Sequence, residues 1–160
     1  MNDYGWVICA AMAVVGLALL LREHARQSHQ LQDMHKMRGS RLYEEIYAIV
    51  EAVRRSDLDE VRIERDRVSF FSIYPPGKIA DFDLQKAGFP PLNNERAYAL
   101  AQVLAMDIPQ LQSSRNYEFR RYKEMRPNGS ANEIYIFTAK KAYKAEVMAH
   151  RTRMNYNRLY

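Results

Sequence analysis

The sequence predicts an α+β fold: a two-layer domain of antiparallel hairpins packed with helices, carried behind a single apolar N-terminal transmembrane helix. Three observations predict it. An uncharged run opens the chain, two pairs of alternating segments read as hairpins, and stretches before and between them carry apolar residues at helical spacing. Consecutive hairpins imply an antiparallel sheet, and amphipathic helices need a face on which to bury their stripes. At 160 residues, 48% hydrophobic and 27% charged, the chain has material for one core.

From Tyr4 to Leu21 no charged residue occurs. At about 1.5 Å per residue a helix over this run is roughly 27 Å long, close to the thickness of a bilayer core. Tyr4 and Trp6 stand at one end, where amphipathic rings favour the headgroup level, and Arg22 closes the other. Met1-Asn2-Asp3 offers no basic stretch and Arg22-Glu23-His24-Ala25-Arg26 no cleavage site of small residues, so an uncleaved anchor is expected. No Lys or Arg precedes the run, whereas Arg22, Arg26, Lys36, Arg38 and Arg41 follow it. That asymmetry predicts an N-terminus outside and a domain in the cytoplasm. The only cysteine, Cys9, lies inside the run, so the remainder can form no disulfide.

Behind the anchor over 1–21, a polar, proline-free stalk over 22–38 is expected to be helical, and the α+β domain is expected over 39–160. Gly39-Ser40 punctuates the chain, with Ser40 as N-cap of a helix whose Leu42, Ile46, Ile49 and Val53 share one face. Val61 and Ile63, then Val68 and Phe70, alternate as a hairpin, and the adjacent Phe70-Phe71 predicts a bulge or a strand covered on both faces. Pro75-Pro76-Gly77 is expected to end the second strand, with helical turns over 81–87 closed by Gly88. Asn93 or Asn94 caps a second helix bearing Ala97, Leu100, Ala101 and Leu104. Tyr117 and Phe119 open a third strand, and Ile134 and Ile136 a fourth, across a turn at Asn128-Gly129 in a loop longer than two residues. Residues 139–153 favour a final helix. The predicted order is membrane helix, α, ββ, α, ββ, α. The predicted core includes Ile49, Leu100, Leu104, Phe119, Ile134 and Ile136 besides Leu42, Ile46, Val53, Val61, Ile63, Val68 and Phe70 of the first helix and hairpin.

Chemistry is sparse. His24, His29, His35 and His150 miss the spacings of three or four that put a metal pair on one helix face. Asp81 and Asp83 are paired carboxylates without a further ligand motif, and an acidic start to a short helix accounts for them. Pro76-Gly77-Lys78 lacks the glycine pattern of a phosphate loop, and there is neither a nucleophile elbow nor a helical His-Glu-x-x-His. No catalytic, cofactor-binding or metal-binding residue is assigned, and no cofactor is expected.

Charge is the one feature with direction. Residues 56–112 hold 6 basic and 9 acidic side chains, whereas residues 113–160 hold 11 basic and 4 acidic, a net charge of +7. Within that block Lys140, Lys141, Lys144, Arg151, Arg153 and Arg158 are the candidates for binding an anionic surface, interleaved with Tyr117, Tyr122, Tyr135, Tyr143, Tyr156 and Tyr160. The bilayer is the expected partner of the N-terminal helix, and anionic lipid or nucleic acid the alternative partners of the basic block. The expected function is a membrane-tethered, non-catalytic interaction or adaptor domain with protein partners in a membrane assembly. A tethered nucleic-acid-binding or lipid-binding protein is the alternative, and an enzyme without a recognisable motif comes third.

Overall fold

Ser40 is where the stalk turns into the domain. The computed structural model describes residues 5–159, and in it helix α1 (Gly5–Arg38) runs unbroken through apolar run and stalk alike. The Ser40 hydroxyl then accepts from the Tyr43 N–H at 3.2 Å and caps α2 (Arg41–Val53), as its sequence position predicts. Tyr4 lies outside the described residues. Strands β1 (Leu58–Ile63), β2 (Arg67–Ser72) and β3 (Gly77–Asp83) follow. Next come α3 (Asn94–Asp107), capped by the Asn93 side chain on the Arg96 N–H at 2.8 Å, and one 3-10 turn (Pro109–Gln112). Strands β4 (Tyr117–Met125) and β5 (Ala131–Ala139) and helix α4 (Lys141–Leu159) complete the described chain.

The five strands form one antiparallel sheet in the order β3-β2-β1-β5-β4. The α+β class and the N-terminal apolar helix are as the sequence predicts. The added element is β3, which takes residues 81–83 of the expected helical turns over 81–87, while the turn itself runs over 84–88 and closes at Gly88, φ +80. Gly77, at φ +138, lets the chain reverse after the two prolines, and residues 78–83 then pair with the open edge of β2. The Asp83 carboxylate accepts from the Lys86 N–H at 3.0 Å and starts the turn that leaves the sheet. The predicted shift at Phe70-Phe71 is present, but the extra residues belong to the neighbours: Asp59 in β1 and Ile79 in β3 each have no opposite number on β2.

One sheet face carries the core. Val61, Ile63, Val68 and Phe70 are fully buried against α2 and α3, together with Leu42, Ile46 and Val50. On β5 the expected faces are exchanged. Val61 pairs with Phe137 and Ile63 with Tyr135, so these two aromatics point to the helices while Ile134 and Ile136 take the other face, where Ile136 is buried as expected and Ile134 only partly. Both faces of β5 are apolar in sequence, and only pairing with β1 decides which goes inward. Phe119 shares the inner face on the edge strand and stays 45% exposed, lining a cleft beside Tyr98 and Gln102 of α3. Ile49 is partly buried beside the fully buried Val50.

The last turns of α1 belong to this packing. Gln30, Asp33, Met34 and Met37 lie on one stripe, Met37 is buried, and α1 packs on α3. Arg38 pairs with Asp107 at 2.7 Å, and the buried Tyr43 donates its hydroxyl to the same carboxylate. Burial first, and then that hydrogen bond, push the Tyr43 pKa far above the usual range, so the hydroxyl remains a donor. Asp107 thus ties α1, α2 and α3 together. Asp107→Ala leaves that hydroxyl without an acceptor and is expected to cost about 1–3 kcal/mol in urea unfolding of the full chain in mild detergent. Tyr43→Phe removes donor and need together and should cost less. Equal losses would show that the shared carboxylate does not hold the junction.

Candidate functional site

The packing of α1 on α3 gives the domain two distinct ends. Asp33, Lys36, Met37 and Ser40 line a cleft with Glu95, Arg96 and Ala99 at the start of α3, and the long Arg38 side chain reaches Asp107 at its end. Asp33, the member of this set nearest the apolar segment, thus sits at the start of α3. That start lies beside the β4–β5 turn: the Asn94 side chain accepts from the Glu133 N–H at 3.0 Å and donates to the Ala131 carbonyl at 3.4 Å. At the opposite end Gln110 donates to the Ser56 carbonyl, and α4 begins after β5. The near end thus carries the β4–β5 turn and the far end carries α4.

The six predicted cations all lie at the far end and do not act alike. Lys144 pairs with Asp59, and Arg151 places Nε and Nη2 on Asp57 Oδ2 at 2.9 and 2.7 Å. Lys140 donates to the Ser114 carbonyl. Lys141, Arg153 and Arg158 are exposed and make no ion pair among the described residues. Tyr143, Val147, Arg151 and Asn155, four residues apart in turn, form the line by which α4 touches the domain. Tyr143 stacks obliquely on Tyr117 at 5.5 Å, Val147 is buried, and Asn155 donates to the Tyr74 hydroxyl at 2.9 Å. Nearly all the rest of α4 is exposed. Half-exposed ion pairs of this kind contribute about 0–1 kcal/mol each, so Tyr143 and Val147 are the main apolar hold on the helix.

The +7 block is not one surface. Arg120, Arg121 and Lys123 sit on the edge strand β4, away from α4, and Arg120 is matched by Glu118 at 2.7 Å. Of the interleaved tyrosines, Tyr117 and Tyr135 are buried, Tyr143 is half-buried, Tyr122 and Tyr156 are exposed, and Tyr160 lies outside the described residues. The open sheet face is a mosaic of opposed charges. Arg67 lies 3.7 and 3.4 Å from Asp81 and Asp83, Ser69 donates to Asp81, and Arg62 bridges Glu60 and Glu64. The Lys86 N–H, ahead of the nearby cations, holds the Asp83 carboxyl below the usual carboxylate range. The paired carboxylates are therefore strand residues with cationic partners. Among the described residues no three His, Cys, Asp or Glu side chains come together as a metal site.

At the near end a cleft of about 290 Å³ brings together residues that the sequence gives no reason to associate. Arg65, from the β1–β2 turn, and Arg126, from the β4–β5 turn, line it with Asn93, Asn94, Ser130 and Asn132. No carboxylate lines it, and neither arginine makes an ion pair among the described residues. Each arginine flanks a legible turn signal, but their convergence is a product of strand pairing.

These features define a class: a small α+β domain continuous with an exposed helix that is long and apolar enough to cross a membrane. No known protein family matches the chain, and neither the curated proteins nor the solved structures show a match to it.

Proposed function

We propose that the chain is a single-pass membrane protein whose cytoplasmic domain is a non-catalytic interaction module, a subunit or adaptor of a larger membrane assembly. The anchor is supported by α1, whose apolar stretch is covered by no other part of the chain. Orientation is supported by the Lys and Arg residues that follow the apolar run and are absent before it. A tether of this kind raises the local concentration of the domain at the bilayer and lowers the entropic cost of docking.

The observation that carries the reading is α4, a basic helix of 19 residues exposed on nearly every side but one. An isolated helix of that length is marginal in water, so its contacts at one line hold it ready for a partner. Nine residues of β5 span about 30 Å and separate the start of α4 from the β4–β5 turn. Its free cations suit an acidic protein surface.

With a photo-crosslinker at Thr152, the full-length chain in native membranes is expected to capture a protein partner. Capture should fall about tenfold or more on changing Lys141, Arg153 and Arg158 to Gln, and fall with salt. Capture that ignores the three substitutions would refute the role of α4. A salt-sensitive gel shift of nucleic acid by the full-length chain, lost in the same variant, would instead make it a tethered nucleic-acid-binding protein.

A further inference from the structure

We infer that the cleft between Arg65 and Arg126 is a subsite for the phosphate of an anionic phospholipid headgroup in the bilayer that holds α1. The inference rests on the proposed span and adds to it a second, polar contact between domain and membrane.

The first support is position. The apolar run ends at Arg22, and the first α1 residue partly covered by the domain is Gln30. Eight residues of helix rise about 12 Å. The headgroup layer occupies about 5–7 Å outside the hydrocarbon, and electrostatic reach adds about 8 Å at physiological salt. The near end of the domain, with its β4–β5 turn, therefore lies within range of the headgroups, and α4 starts at the other end of β5.

The second support is chemistry. Two arginines line one cleft, and no carboxylate lines it with them. Arg62, Arg67, Arg120 and Arg151 have acidic partners within 4 Å, whereas Arg65 and Arg126 share with Arg153 and Arg158 the lack of one among the described residues. Arg65 also borders the neighbouring cleft, where Glu64, Asp66 and Glu124 lie, but none of those carboxylates lines this one. A guanidinium fork fits phosphate oxygens with two parallel hydrogen bonds, and two forks can hold one phosphodiester from both sides. Asn132 and Ser130 supply polar surroundings suited to a glycerol or serine headgroup.

A bound headgroup at this place would fix the rotation of the domain about α1. The stalk already fixes its height, because α1 is one helix up to its packing on α3.

The test uses the full-length chain in detergent, titrated with phosphatidylglycerol or with phosphatidylcholine of the same acyl chains, and lipid adducts are counted by native mass spectrometry. Arg22 and Arg26 at the foot of α1 attract the same anionic lipids, so the paired substitution carries the result. Arg65→Gln with Arg126→Gln is expected to weaken phosphatidylglycerol binding about tenfold and to leave phosphatidylcholine unchanged. Arg153→Gln with Arg158→Gln should leave both unchanged. Unaltered phosphatidylglycerol binding in the first pair, with circular dichroism showing it folded, overturns the inference. Displacement of the lipid by millimolar inorganic phosphate would mark a site for soluble anions and overturn the lipid assignment. Alkaline extraction of membranes separates the two proposals. A chain released by it refutes the span, whereas a chain retained without the arginine effect refutes the headgroup site by itself.

Discussion

Phe70→Ala is expected to destabilise the domain by about 3–5 kcal/mol, the largest single-residue loss in the fold. Phe70 is fully buried in the second strand of the sheet, flanked by Val61 on β1 and Ala80 on β3. Removing the ring leaves a cavity walled by strands on both sides, which cannot close without breaking their register. Ile134→Ala is the control. Ile134 is partly exposed and lines the cleft on the open side of the sheet, so the same kind of truncation should cost about 1 kcal/mol or less. Urea unfolding of the full chain in mild detergent, followed by circular dichroism, measures both. Similar losses at the two positions would mean that β5 presents its isoleucines to the helices after all.

The second large effect concerns the anchor. Val14→Arg with Leu17→Arg puts two cations near the middle of the apolar run, each at a cost of about 2.5–3.5 kcal/mol. The double variant is expected to leave the alkali-resistant membrane fraction, whereas Leu31→Arg, on the exposed stalk, should remain in it. A reporter that works only in the cytoplasm, fused behind the C-terminal residue, should be active in the parent chain. Activity confined to the outside would reverse the orientation and withdraw the cytoplasmic partner. Retention of the double variant in the membrane would sink the span.

Local chemistry accounts for what was legible beforehand. Ser40 and Asn93 could be named as caps because a capping side chain bonds to an N–H three residues on, whatever the rest of the chain does. Asn128-Gly129 could be named as a turn because Gly129 adopts φ +80, which glycine reaches at no steric cost. β3 was hidden because its bulge at Ile79 breaks the alternation, and because two acids and an alanine read as helix when no partner strand is in view.

The candidate surfaces divide along the same line. The sequence by itself determined that the chain carries an apolar helix of membrane length, an α+β domain of helices and antiparallel hairpins, and a basic C-terminal third. These are properties of composition and short-range spacing, and short-range forces are enough to express them. Only the tertiary structure decided that Tyr135 and Phe137 face the core, since a strand apolar on both sides takes its orientation from the register of its neighbour. Only the tertiary structure also separated the basic third into an edge strand and a far helix, spent Lys144 and Arg151 on Asp59 and Asp57, and brought Arg65 to Arg126 across 61 positions. The physical reason is that charges and side chains distant in sequence meet through strand order and helix packing, and these are set by burying the whole core at once.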